Sequence, residues 1–83
     1  MITEHDIKQS IAQFTKQPID NISNEKPIAN LVADSFMLVE LMLTLQEQYN
    51  VHFDQQELEQ VKSTGQLVTN IINKHFGEER SIA

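Results

Sequence analysis

The stretch from Ser35 to Tyr49 constrains this chain more than any other, because it holds no glycine or proline and its leucines recur at helical spacing. With Ser35 at zero and each residue advancing about 100°, Leu38, Leu41, Met42, Leu45 and Tyr49 fall on one side as an apolar stripe. A helix of this kind must bury that stripe against other elements. Asp34 supplies a cap in front of it and Asn50 a stop behind it. The rest of the chain has to build the opposing walls.

The flanking segments read as those walls. Thr3 caps a first helix over residues 4–15, with Glu4 and Asp6 in its opening turn and Ile7, Ile11 and Phe14 facing inward. From Lys16 to Asp34 the pattern breaks at Pro18, at Asp20-Asn21-Ile22-Ser23-Asn24 and at Pro27, which predicts a long loop. Ile19, Ile22, Ile28, Leu31 and Val32 predict that this loop packs across the core. Val51-His52-Phe53 is a short apolar crossing, and Asp54 caps a brief third helix over 55–60. Ser63-Thr64-Gly65-Gln66 has the form of a capping box. It opens a fourth helix that turns Leu67, Ile71 and Phe76 inward, with Val68 and Ile72 beside them, and that ends at Gly77. The expected fold is all-α: a four-helix bundle with a long first loop and a short third helix, a single domain over 1–77 and a frayed tail over 78–83.

Eighty-three residues supply one core and no second one. No run of about 18 apolar residues exists to insert into a membrane. Met1-Ile2-Thr3-Glu4-His5-Asp6 lacks the basic and apolar regions of a secretory signal, so a cytoplasmic home is expected. There is no cysteine, which excludes disulfides and thiol catalysis by a protein side chain. Twelve acids against six bases give a net charge of −6, and they are unevenly spread. Between Pro27 and Val61 there is no Lys or Arg, while Asp34, Glu40, Glu47, Asp54, Glu57 and Glu59 all fall there. That half should repel nucleic acid and attract basic protein surfaces.

The second helix has an unusual outer side. Opposite the core stripe lie Phe36, Glu40, Leu43 and Glu47, flanked by Met37 and Thr44. A plain surface helix would be polar there. Two arrangements explain large apolar residues interleaved with acids: a partner covers them, or the long loop folds over Phe36 and Leu43 and enlarges the core. Ser35 opens the helix, where free N–H groups and the helix dipole favour a phosphate. On spacing alone, Asp34-Ser35 is ordinary capping.

Leu31-Val32-Ala33-Asp34-Ser35-Phe36, followed by Val39-Glu40-Leu41 and Leu45-Gln46-Glu47-Gln48-Tyr49, resembles the phosphopantetheine-attachment region of acyl and peptidyl carrier proteins. The likeness extends through Val51-His52-Phe53 and Val61-Lys62-Ser63, so its specific part covers roughly residues 31–72. It implies that Ser35 accepts 4′-phosphopantetheine from coenzyme A through a Mg²⁺-dependent phosphopantetheinyl transferase that Asp34 helps to engage. The thiol of that arm would carry the thioester, which suits a protein without cysteine. Glu40 and Glu47 would meet basic patches on partner enzymes, and Phe36, Met37 and Leu43 would complete the partner surface. Those partners would be an acyl- or aminoacyl-adenylating ligase and ketosynthase or condensation enzymes, met by a monomeric carrier.

The sequence departs from the family pattern at Val32, where glycine is usual, and at Met37 and Gln46, which are commonly acidic in fatty-acid carriers. These changes favour a free-standing carrier of polyketide, nonribosomal peptide or lipopeptide synthesis over housekeeping fatty-acid synthesis. Enzymatic activity of its own is not expected, since His5, His52 and His75 lie in separate elements without metal-like spacing and Ser35 has no base near it in sequence. The alternative is an unmodified acidic helical adaptor that keeps the outer face of the second helix and needs no serine.

Overall fold

The computed structural model describes residues 2–80, and its helices start where the sequence places polar caps. Helix α1 spans Glu4–Thr15 behind a reciprocal box in which Asp6 N–H donates to Thr3 Oγ1 (3.2 Å) and Thr3 N–H donates to Asp6 Oδ2 (3.0 Å). Helix α2 spans Ser35–Tyr49 and stops at Asn50, which takes the left-handed conformation at φ 55°. Helix α3, Gln55–Gln60, opens on a second box between Asp54 and Glu57. A third box, Ser63 with Gln66, opens helix α4, Thr64–Arg80. Among the described residues no strand forms, and no helix is long and apolar enough to cross a membrane.

The buried residues come from α1, the long loop, α2, the 51–53 crossing, Val61 and α4, and none from α3. Ile7 and Ile11 of α1, Leu41, Met42 and Leu45 of α2, and Leu67, Val68 and Ile71 of α4 meet in one cluster, closed below by Val51, Phe53 and Val61. Leu38 and Tyr49, at the margins of the α2 stripe, are half-buried against it. Phe76 does not join the core as expected. It is half-buried beside the His75 ring, while the inward residues of α4 are Leu67, Val68 and Ile71.

Gly77 does not end α4 either. The helix runs through it to Arg80, no glycine has a positive φ, and nothing lies within 4 Å of where a Cβ would stand. An exposed glycine inside a helix costs only about 1 kcal/mol relative to alanine, which a helix already docked through its first turns can absorb. The first three residues of the expected 78–83 tail are therefore helical, and residues 81–83 lie outside the described residues.

The long loop packs across the core as expected, and it is stitched in place. Two 3₁₀ turns, Ile19–Asn21 and Ile28–Asn30, break it into short spans, and Ile22 and Leu31 are buried. Pro27 pairs with Ser63 as an isolated β-bridge, and Ile28 N–H donates to Lys62 O (3.1 Å). Buried Thr64 donates through both its N–H and its hydroxyl to Lys26 O, each at 2.8 Å. Gly65 N–H donates to Asn24 O, and a Cβ at Gly65 would sit 3.1 Å from Asn24 Cβ, a close approach that a larger residue could keep only if Asn24 gave way by a few tenths of an ångström. These contacts fix where the loop delivers the chain to α2.

Candidate functional site

The end of the loop and the first turn of α2 form the candidate site. Gln17 Nε2 donates to Leu31 O (2.8 Å), which pins the chain just ahead of it. Val32, at the position where the resembled pattern has glycine, is half-buried against the core. Asp34 is extended at φ −149°, and its Oδ1 accepts from Met37 N–H at 2.8 Å. Ser35 follows as the first helical residue and is exposed.

Three polar groups remain open there. Among the described residues the Ser35 hydroxyl makes no hydrogen bond, and neither do the N–H groups of Ser35 and Phe36. Asp34 satisfies only the third donor of the turn. Free helix-start N–H groups beside an exposed hydroxyl suit a phosphate esterified at that oxygen. The residues present therefore fit a phosphopantetheine arm. Other serines are differently placed: Ser10 Oγ donates to Asp6 O (3.1 Å) and lies 2.6 Å from Tyr49 Oη, and Ser63 Oγ serves as the cap of α4. Ser23 is exposed in the loop, away from any helix start.

The outer face of α2 is open. Phe36 is 71% exposed and Leu43 54%, so the loop does not fold over them. Glu40 and Glu47 are exposed, and no ion pair engages them among the described residues. Met37 sits apart from this group. It is half-buried and lines a cleft of about 270 Å³ with Leu31, Val32 and Ala33 on the loop side of the helix. Val39, 56% exposed, belongs with the open apolar residues although the angular reading did not single it out.

Sequence reasoning also missed a second cleft. About 170 Å³ of space lies between α2 and α3, lined by Ile28, Leu38, Val39, Met42, Leu43, Gln46 and Leu58. Its one polar side chain is already occupied, since Gln46 Oε1 accepts from Phe53 N–H (2.9 Å) and Nε2 donates to Met42 O (3.2 Å). Ser35, Val39, Met42 and Gln46 stand at i, i+4, i+7 and i+11, which makes one row along α2. The cleft therefore lies along the helix side that Ser35 begins, although Ser35 itself does not line it. The row could have been drawn from the sequence, but the opposite wall, Leu58, requires the fold.

Two carboxylates carry shifted ionisation. Lys74 beside Glu57 holds that carboxyl below its ordinary value, helped by the Asp54 N–H. Lys8, then Asn24, does the same for Glu4. The histidines stay apart: His5 and His52 are exposed, and His75 Nδ1 lies 3.1 Å from Tyr49 O. No group of three metal-ligating side chains assembles among the described residues.

The family model described as a phosphopantetheine attachment site matches residues 5–71. Among curated relatives, an acyl carrier protein of Chlamydia caviae is 33% identical over 72 residues, covering 86% of this chain and 94% of that protein.

Proposed function

This chain belongs to the phosphopantetheine-attachment family, and we propose that Ser35 holds the arm and that its cargo is an aliphatic acyl thioester. As a family member the chain is a carrier and not an enzyme, and it bears 4′-phosphopantetheine covalently. Its partners include a phosphopantetheinyl transferase and acyl-handling enzymes. One observation supports Ser35 above all: an exposed, unbonded hydroxyl at the start of α2, beside two open N–H groups. The arm supplies the thiol that forms the thioester. The chain's own residues do the rest. The helix start favours the phosphate charge, Asp34 keeps the first turn closed, and the outer face of α2 presents Phe36, Leu43, Glu40 and Glu47 to partners.

The cleft between α2 and α3 supports an acyl over a polar aminoacyl cargo, because no free polar side chain lines it. Gln46 has a packing role here, bridging α2 to Phe53, where a carboxylate would lack the amide donor to Met42 O. With Met37 turned to the loop side, α2 offers fewer acids to a partner than the pattern of fatty-acid carriers leads one to expect. Together with an acyl cargo, these features support service in polyketide or lipopeptide synthesis, loaded by an adenylate-forming ligase, and count against an aminoacyl carrier of nonribosomal peptide synthesis.

Co-expression with a broad-specificity phosphopantetheinyl transferase tests the reading. Intact mass should show one added arm, and Ser35→Ala should abolish it. A chain that stays unmodified would be an acidic helical adaptor instead.

A further inference from the structure

The side-chain pair that joins α3 to α4, Glu57 with Lys74, does more than link the two helices. Helix α3 has six residues, far below the length of about 12–15 at which a helix stands alone in water, so its position depends on caps and neighbours. Glu57 supplies both. Its Oε1 accepts from Asp54 N–H (3.2 Å) and closes the cap of α3, while its Oε2 pairs with Lys74 Nζ on α4. The same ammonium stands 5.2 Å from the centroid of Phe53, a ring that is 4% exposed. Lys74 follows buried Ile71 by one turn, so its stem leaves the core face and its charge emerges at the α3 seam.

Both neighbours of Lys74 lead to the apolar cleft. Leu58, next to Glu57, is the residue that α3 contributes to the cleft lining. Phe53 N–H donates to Gln46 Oε1, and Gln46 lines the opposite wall on α2. One lysine thus touches the supports of both walls.

We propose that Lys74 is a latch: by pairing with Glu57 over the Phe53 ring it keeps α3, and with it Leu58, closed on the cleft beside α2. Releasing the latch lets α3 swing away and exposes whatever the cleft holds. Lys74 is a positioning residue, acting through Glu57 and Phe53, and the claim about cargo rests on the carrier reading above. Closure by a partly exposed ion pair and a cation–π contact is shallow, which suits a cargo that must be surrendered to successive enzymes.

Amide hydrogen exchange on the unmodified chain tests the latch directly. Lys74→Met keeps the apolar stem and removes the charge. It should speed exchange at Gln55–Gln60 by about 3- to 10-fold, the range open to one such pair of contacts, and leave Leu67–Ile71 unchanged. Lys74→Arg should restore slow exchange. Unchanged α3 exchange overturns the latch, and so does a uniform rise across all helices, which would make Lys74 a general stabiliser. The cargo arm uses octanoyl-coenzyme A with a broad-specificity transferase, followed by hydroxylamine cleavage of the thioester. Lys74→Met should speed cleavage of the octanoyl form and not of the acetyl form, and equal rates in both variants overturn control of the cleft. Should the chain take no arm at all, the carrier reading fails while the exchange data still judge the latch.

Discussion

Asp34 turns its carboxylate onto the backbone of α2, accepting from Met37 N–H at 2.8 Å, and so leaves the neighbouring Ser35 hydroxyl unbonded at the surface. A serine in the capping position would spend its own oxygen on that N–H, as Ser63 does for α4. The one-residue offset is what keeps the hydroxyl of Ser35 open to modification. Peptide mapping of the modified protein should place the arm on Ser35 alone, and an arm on Ser10, Ser23 or Ser63 would overturn the assignment. Asp34→Ala should cost about 1 kcal/mol of stability as a lost cap. It should also slow arm transfer, because the first turn that presents Ser35 loses its brace.

Glu40 and Glu47 should act on association rate more than on affinity. Both are exposed, where a single ion pair is worth only about 0–1 kcal/mol, while the field of the base-free 27–61 segment reaches about 8–10 Å at ordinary salt. Reversing both charges should slow arm transfer at low salt, and the defect should shrink as salt rises. A defect that ignores salt would mean damaged packing.

The helix starts were legible because each depends on residues three apart. Thr3 with Asp6, Asp34 with the Met37 N–H, Asp54 with Glu57 and Ser63 with Gln66 are all local signals. The end of α4 was not, because glycine is a stop only in a left-handed cap, and Gly77 is simply a helical glycine. Val39 was overlooked because it lies about 40° from Ser35, on the border between stripe and outer face, where angle alone does not decide exposure. The stitching of Thr64 to Lys26 and the Lys74–Glu57 pair join segments far apart in sequence. Only the folded chain brings them together.

Acid should unfold the protein partly through Glu57. Its carboxyl ionises more readily in the folded chain, chiefly through Lys74 and next through the Asp54 N–H. A depressed folded value stabilises above the unfolded value, near pH 4.3, and that contribution disappears as pH falls through the lower, folded value. Glu57→Gln should therefore melt earlier than wild type at pH 7, with the gap closing as pH falls through the lowered, folded value. A gap that persists in acid would assign the effect to the lost cap geometry and not to the charge.

Phe36 should matter to partners and hardly at all to the fold. At 71% exposure it contributes little to the core, and it shares the open side of α2 with Leu43, Glu40 and Glu47. Surface truncations usually change stability by no more than about 0.5 kcal/mol, whereas removing a core phenylalanine costs about 3–5 kcal/mol. Phe36→Ala should accordingly melt within a few degrees of wild type. If a partner seats the ring in a pocket, the same change should cost on the order of 2 kcal/mol of binding, a loss of roughly thirtyfold at 25 °C. The two measurements belong together, thermal unfolding beside titration of the modified carrier against its transferase or a loading ligase. Normal melting with weakened binding identifies the outer face of α2 as a docking surface in which the aromatic ring supplies affinity and the glutamates supply speed. Normal melting with unaltered binding would move the docking surface elsewhere, and a collapsed melting temperature would mean that the ring is covered in solution.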